Sequence, residues 1–275
     1  MDDYLRAILL GIVQAVTEFL PISSSGHLIL APEILGEDAS SLTFDVGLHV
    51  GTLMAVLGYF WRDWVRIGVA ALHDVRSEGV AVRRWSVDAR LGLLLALGTI
   101  PAVIVGVLFE DWIEENVRDP LVIAVMLIGV GILIGIADRY GSTIGRLVDM
   151  TPGRSFLIGC AQAAALIPGV SRSGATIATA RTLGFDRPSA ARFSFLLSAP
   201  VVAGAGILKF TEAIAGDDVI AWGPLLVGAA TAALVGALVI KGFMAFMQRA
   251  TLAVFVWYRI ALGLAVIAAV AMDVI

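Results

Sequence analysis

The sequence predicts an all-α polytopic membrane protein: six transmembrane helices plus two re-entrant helix-loop-helix segments, arranged as inverted-topology repeats. Three observations predict it. Hydrophobic residues make up 59% of the 275 and charged residues only 15%, with a mean hydropathy of +0.92; a soluble globule carries far more charge. Six stretches are long and apolar enough to cross a bilayer. Two others are interrupted by polar Ser/Gly/Pro clusters, and these two resemble each other at a fixed offset.

Taken in order, residues 5–30 or so are the first broken segment. An apolar helix carries Glu18 and is stopped by Pro21, Ser23-Ser24-Ser25-Gly26 makes the turn, and a second short helix starts near Gly26-His27. The first span is 46–61. Residues 62–90 hold Arg62, Arg66, Arg76, Arg83, Arg84 and Arg90 and are expected to form a surface helix and loop. Spans 91–109 and 121–137 follow, then the second broken segment near 155–180, then spans 193–208, 219–240 and 251–272. Loop charge tests this order. Basic loops at 62–90, 139–154, 181–192 and 241–249 alternate with acidic loops at 31–45, 110–119 and 212–218 only if neither broken segment crosses. The positive-inside rule then places the basic loops in the cytoplasm and both termini outside. The opening Met1-Asp2-Asp3-Tyr4-Leu5-Arg6 lacks the basic region of a signal peptide, so the first segment is read as mature structure.

The repeat is visible directly. Residues 11–29, GIVQAVTEFLPISSSGHLI, align without a gap on 159–177, GCAQAAALIPGVSRSGATI, at an offset of 148. Gly11, Gln14, Ala15, Ser23, Ser25, Gly26 and Ile29 recur as Gly159, Gln162, Ala163, Ser171, Ser173, Gly174 and Ile177. The identities include polar residues, and three spans follow each copy, so the second copy is inverted relative to the first. One membrane domain is expected, with repeats at about 1–138 and 150–275, and the two turns meeting near the midplane.

Where the copies diverge, chemistry appears. Glu18 faces Leu166, Ser24 faces Arg172 and His27 faces Ala175, so one copy holds an acid, a hydroxyl and an imidazole, and the other a cation. Such groups inside a membrane are costly and mark sites. Gln14 and Glu18, four apart, share a helix face and suit joint ligation of a hard cation. Ser23 and Ser25 read as helix caps; Asp45 and His49 are placed at the rim. In Pro168-Gly169-Val170-Ser171-Arg172-Ser173-Gly174-Ala175-Thr176, the hydroxyls of Ser171, Ser173 and Thr176, the backbone at Gly169 and the Arg172 fork make a phosphate site. No Walker loop is present, the balance of 19 basic to 23 acidic residues excludes a nucleic-acid partner, and the lone Cys160 excludes an intrachain disulfide and a cysteine-based zinc site.

QAVTEFLPISSSGHLIL at 14–30 and PGVSRSGATI at 168–177 resemble the two motifs of the undecaprenyl-diphosphatase (bacitracin-resistance) family of bacterial membrane enzymes, and the span pattern is similar along the whole chain. The resemblance implies hydrolysis of the C55 lipid diphosphate to the monophosphate carrier for cell-wall synthesis. It places this outside the cytoplasm, in the inner membrane, with a divalent cation (Mg²⁺ or Ca²⁺). It carries over to Glu18, Ser24, His27, Ser171, Arg172 and Thr176. Position 14 is Gln where a paired-glutamate form has Glu, which puts a two-carboxylate metal site in doubt. Ser24 is the preferred nucleophile, with His27 as its base; a direct phospho-His27 and a Glu18-activated water are the alternatives. The rival is a transporter or flippase of the lipid monophosphate, which needs the anion site but not the Ser/His/Glu set. Expected partners are the polyprenyl diphosphate and the bilayer, and a homodimer is admitted.

Overall fold

The structure is a computed structural model describing residues 2–28, 42–117, 119–141, 144–215 and 221–272. The expected acidic loops at 31–45 and 212–218 fall partly outside these residues. Helix α1 (Asp3–Phe19) is followed by a short helix α2 that starts at residue 24 and is described to 28. Then come α3 (Leu42–Tyr59), α4 (Trp61–Glu78), α5 (Val87–Asn116), α6 (Pro120–Tyr140), α7 (Pro152–Ala164), α8 (Arg172–Thr182), α9 (Arg187–Ala215), α10 (Trp222–Phe246) and α11 (Ala253–Ala271).

Local chemistry sets these boundaries. Ser86 accepts from the Ala89 amide to start α5, Asp119 accepts from Leu121 and Val122 ahead of Pro120 to start α6, and Thr151 accepts from Arg154 ahead of Pro152 to start α7. Pro101 and Pro200 lie inside long helices, where lipid-embedded neighbours tolerate them. Five helices among the described residues are long and apolar enough to span a membrane: Val87–Phe109, Pro120–Tyr140, Arg187–Leu208, Trp222–Phe246 and Ala253–Ala271. The sixth expected span is α3, which meets the test only together with α4, and the pair bends by 72°. The chain is therefore a multi-pass membrane protein, and α4 departs at an angle as the expected surface helix. Only α4 mixes Asp63, Asp74 and four arginine or histidine side chains with its apolar residues.

Helix α1 packs on α10 and α7 on α5, while α3 meets α9 and α6 meets α11. A Cβ at Gly11 would sit 2.7 Å from the Gly228 carbonyl oxygen of α10, and one at Gly159 would overlap the Gly98 carbonyl of α5. The same position in each copy thus lets backbones touch, the small-residue contact that holds helices together in lipid. Phe19 anchors α1 beside the site by an edge contact with Phe195 at 5.7 Å. At the basic end, the buried Asp138 accepts two bonds from Arg187, at 2.6 and 3.1 Å, and one from the Leu252 amide at 2.9 Å, tying α6 to α9 and α11.

Candidate active site

The two turns adopt one conformation. Ser23 and Ser171 have φ of 76° and 71°, and they are the non-glycine residues with positive φ among the described residues. A serine tolerates that region here because its side chain is used: Ser23 Oγ accepts from the Gly26 amide at 3.4 Å and Ser171 Oγ from the Gly174 amide at 3.2 Å. Ser23 also pairs with Ser25 at 3.2 Å, as Ser171 does with Ser173 at 3.3 Å. Each turn thereby launches a short helix, α2 at Ser24 and α8 at Arg172, so two helix N-termini converge.

The turns meet, although 148 residues separate Ser24 from Arg172. Ser173 Oγ donates to the Leu20 carbonyl at 3.1 Å. Arg172 Nη2 donates to Glu18 Oε1. Ser24 Oγ donates to the other carboxylate oxygen, Glu18 Oε2, at 2.6 Å. Gln14 Nε2 reaches the same oxygen at 3.3 Å and His49 Nε2 lies 4.0 Å from it. Glu18, Ser24, Arg172, Gln14 and His49 are thus one cluster, with the carboxylate buried at its centre. Two polar atoms in it are buried without a hydrogen-bond partner among the described residues, Gln14 Oε1 and Arg172 Nη1. Orphans of this kind are expensive unless a ligand meets them.

His27 is placed on the same turn but is not bonded to Ser24. Its Nδ1 lies 2.7 Å from the Ser23 carbonyl oxygen and its Nε2 2.6 Å from the Tyr258 hydroxyl, with the two rings stacked at 5.7 Å. A carbonyl only accepts, so Nδ1 carries the proton and the Nε2 lone pair takes the phenol hydrogen. The hydroxyls expected to bind phosphate are otherwise engaged: Ser171 and Ser173 as above, and Thr176 with the Arg172 carbonyl at 2.7 Å and Ser194 Oγ at 2.6 Å. Gly169, at φ 89°, packs against the Ile123 carbonyl, to which a Cβ would approach within 2.6 Å. Its place is therefore set by packing. Asp45 offers its carbonyl to His49 Nδ1 at 2.8 Å.

Two residues of α11 were missed from sequence. Tyr258 is the partner of His27. Arg259 is fully buried and clamps both turns, donating to Pro21 O at 3.4 Å, Gly169 O at 2.8 Å and Val170 O at 3.2 Å, and to Met126 and Leu127 of α6. The available signal was an arginine in the middle of an apolar span.

The residues fit a divalent cation of limited protein ligation. Gln14 offers a partnerless amide oxygen next to the Glu18 carboxylate. No group of three or more His, Cys, Asp and Glu is poised for a metal among the described residues. Two protein oxygens suit an ion that keeps water and phosphate oxygens in its shell.

The family model described as Bacitracin resistance protein BacA matches residues 7–265. An undecaprenyl-diphosphatase of Geobacter sulfurreducens is 49% identical over 268 residues, 97% of this chain and 98% of that protein. One of Desulforudis audaxviator is 47% identical over 262 residues, 95% and 96% of the two chains. One of Nocardioides sp. is 41% identical over 275 residues, 100% of this chain and 99% of the other.

Proposed function

The chain belongs to the bacitracin resistance protein family, and from that premise we infer that it hydrolyses undecaprenyl diphosphate to undecaprenyl phosphate and inorganic phosphate. The reaction recycles the lipid carrier for cell-wall synthesis and confers bacitracin resistance. The observation that carries an enzymatic reading is the Ser24 hydroxyl donating to Glu18 at 2.6 Å, with Arg172 on the other carboxylate oxygen. A transporter needs an anion site but has no use for a hydroxyl hydrogen-bonded to a carboxylate.

In the mechanism we propose, the lipid tail lies in the bilayer and the diphosphate enters between the turns. Arg172 Nη1, without a hydrogen-bond partner among the described residues, takes a phosphate oxygen, and the N-termini of α2 and α8 add positive partial charge. Positioning and charge stabilisation supply most of the rate in phosphoryl transfer. Ser24 Oγ attacks the terminal phosphorus. Its proton passes to Glu18 Oε2, the P–O bond to the bridging oxygen breaks, and the polyprenyl monophosphate leaves as an anion. Water then attacks the phosphorus of the phosphoserine, the Ser24 Oγ–P bond breaks, Glu18 returns its proton to Oγ, and the phosphate leaves as H2PO4− with both water hydrogens. The expected base, His27, has its lone pair on the Tyr258 hydroxyl, so Glu18 takes the proton in this scheme. His27 and Tyr258 are left beside the reacting phosphate, and His27 remains the alternative nucleophile. Gln14 and Glu18 would hold a Mg²⁺ or Ca²⁺, which when bound neutralises phosphate charge. Gly169, Ser171, Ser173 and Thr176 shape the Arg172 turn and leave its backbone amides to the phosphate.

The inverted-repeat reading is supported by the matched turns and by the matched contacts of Gly11 and Gly159. We place the chain in the bacterial inner membrane with the site open to the outside. All the named groups come from one chain, so this chemistry does not require a homodimer. The test is phosphate release from a C15 or C55 diphosphate by the purified protein with and without EDTA. Turnover abolished by EDTA and restored by Mg²⁺ or Ca²⁺ is expected; no phosphate release under any condition would return the reading to a transporter.

A further inference from the structure

A cavity lined by arginines and by a larger share of apolar side chains lies at the basic end of the molecule, away from the two turns. It has a volume of about 570 Å³, within the range of about 300–1,000 Å³ typical of ligand pockets. It is bounded by α4, the start of α5, the segment before α7, and α9. Its separation from the catalytic cluster follows from α3. His49 of that helix lies beside Glu18, and the ten residues from there to its end at Tyr59, rising 1.5 Å each, put about 15 Å between them. Asp63, on the cavity wall, lies beyond that end.

The wall chemistry is that of an anion site with an apolar lining. Arg66, Arg83, Arg90 and Arg192 face Asp63 and Asp88, leaving two positive charges in excess. Asp63 is shared by Arg66 and Arg192. Arg83 and Arg90 form no ion pair among the described residues. Arg192 Nε is buried with no hydrogen-bond partner. Two helices begin on the wall, α5 at Val87 and α7 at Pro152; with Ser86 and Thr151 taking the Ala89 and Arg154 amides and Pro152 having none, the Val87, Asp88 and Gly153 amides are the ones a helix start leaves over. The rest of the lining is apolar, with Ile67 and Leu91 buried and Leu94 and Leu97 half-buried beside them. A free inorganic anion has no use for that lining. A phosphate joined to hydrocarbon uses both parts.

We propose that this cavity binds the phosphate headgroup of an anionic lipid from the leaflet that carries the basic loops, as a site separate from the catalytic one. The chemistry has two sources, the phosphodiester of a bilayer phospholipid or the monoester of a polyprenyl phosphate. Lipid retention by the purified protein, read by native mass spectrometry, distinguishes them when phosphatidylglycerol, farnesyl monophosphate and phosphatidylcholine are offered separately. Preferential retention of phosphatidylglycerol assigns the bilayer lipid, and of farnesyl monophosphate alone the polyprenyl source; either supports the site. The double variant Arg83→Gln/Arg90→Gln removes two exposed guanidiniums. It is expected to lose about ten- to thirty-fold of the preference over phosphatidylcholine, the worth of two cations near a lipid surface, with phosphate release unchanged. Arg83→Lys/Arg90→Lys is expected to retain the preference. Equal retention of phosphatidylcholine by the unaltered protein overturns the proposal, as does an undiminished preference in the glutamine variant. Phosphate release falling together with lipid retention overturns the separateness of the two sites.

Discussion

A carboxylate that accepts from a hydroxyl at 2.6 Å and from a guanidinium on its other oxygen is already arranged to take a proton. That arrangement separates Ser24 from His27 by experiment. Loss of one charge-assisted donor costs roughly 1.5–3 kcal/mol, or about ten- to a few-hundred-fold in rate. Ser24→Ala is expected to exceed that loss and approach the uncatalysed floor in phosphate-release assays, whereas His27→Ala, with its lone pair turned to Tyr258 and no proton to take, is expected to stay within it. A trapped phosphoenzyme should survive acid, as phosphoserine does. Near-complete loss at His27 with substantial activity in Ser24→Ala would transfer the nucleophile to the imidazole. The participants were readable in the sequence because Glu18, Ser24, His27 and Arg172 are polar groups in apolar segments at matched repeat positions. Their pairing was not. Which nitrogen His27 offers depends on Tyr258, 231 positions away in a helix that no local spacing connects to the turn.

The elements were readable where composition is one-sided and obscure where it is mixed. Hydropathy located α6 and α11 closely, but α10 runs past the expected end at 240 to Phe246, and α5 and α9 run on into polar ends, from Val87 to Asn116 and from Arg187 to Ala215. Caps and neighbouring helices, not apolar character, set those ends. The turns were foreseen from Pro21, Pro168 and their serines, yet what holds them together comes from α11. Arg259 gives each turn a hydrogen bond that neither can supply itself, reaching Pro21 on one side and Gly169 and Val170 on the other. A methionine there keeps the apolar stem and leaves those buried carbonyls without their donor. Each such group costs about 1–3 kcal/mol, so Arg259→Met is expected to lower the thermal midpoint of the purified protein by several degrees and to reduce phosphate release. Arg259→Lys, with a charge but no planar fork, should fall between. A methionine variant with unaltered midpoint and turnover would show that the turns hold their positions without the clamp.

At the scale of the whole molecule, the site is made by bringing the starts of α2 and α8 together from distant parts of one chain. Helices whose positive ends face a common point suit an anionic substrate at membrane depth. For both to do so from opposite sides, the stretch between the turns must cross an odd number of times, which is what the alternation of basic and acidic loops requires. The orientation that follows can be checked with single cysteines. Cys160 is exposed and must first be replaced by serine. In that background, Glu115→Cys, in the acidic last turns of α5, and Asp217→Cys, in the acidic 212–218 stretch of the sequence, are expected to react with a membrane-impermeant thiol reagent added to intact cells. Val80→Cys, 96% exposed beside the basic loop, and Val148→Cys, 61% exposed, are expected to react only after the cells are opened. The reversed pattern would place the catalytic cluster's mouth on the cytoplasmic side. Labelling of all four from outside would overturn the span count itself, because positions 80 and 115 lie at opposite ends of α5 and positions 115 and 148 at opposite ends of α6.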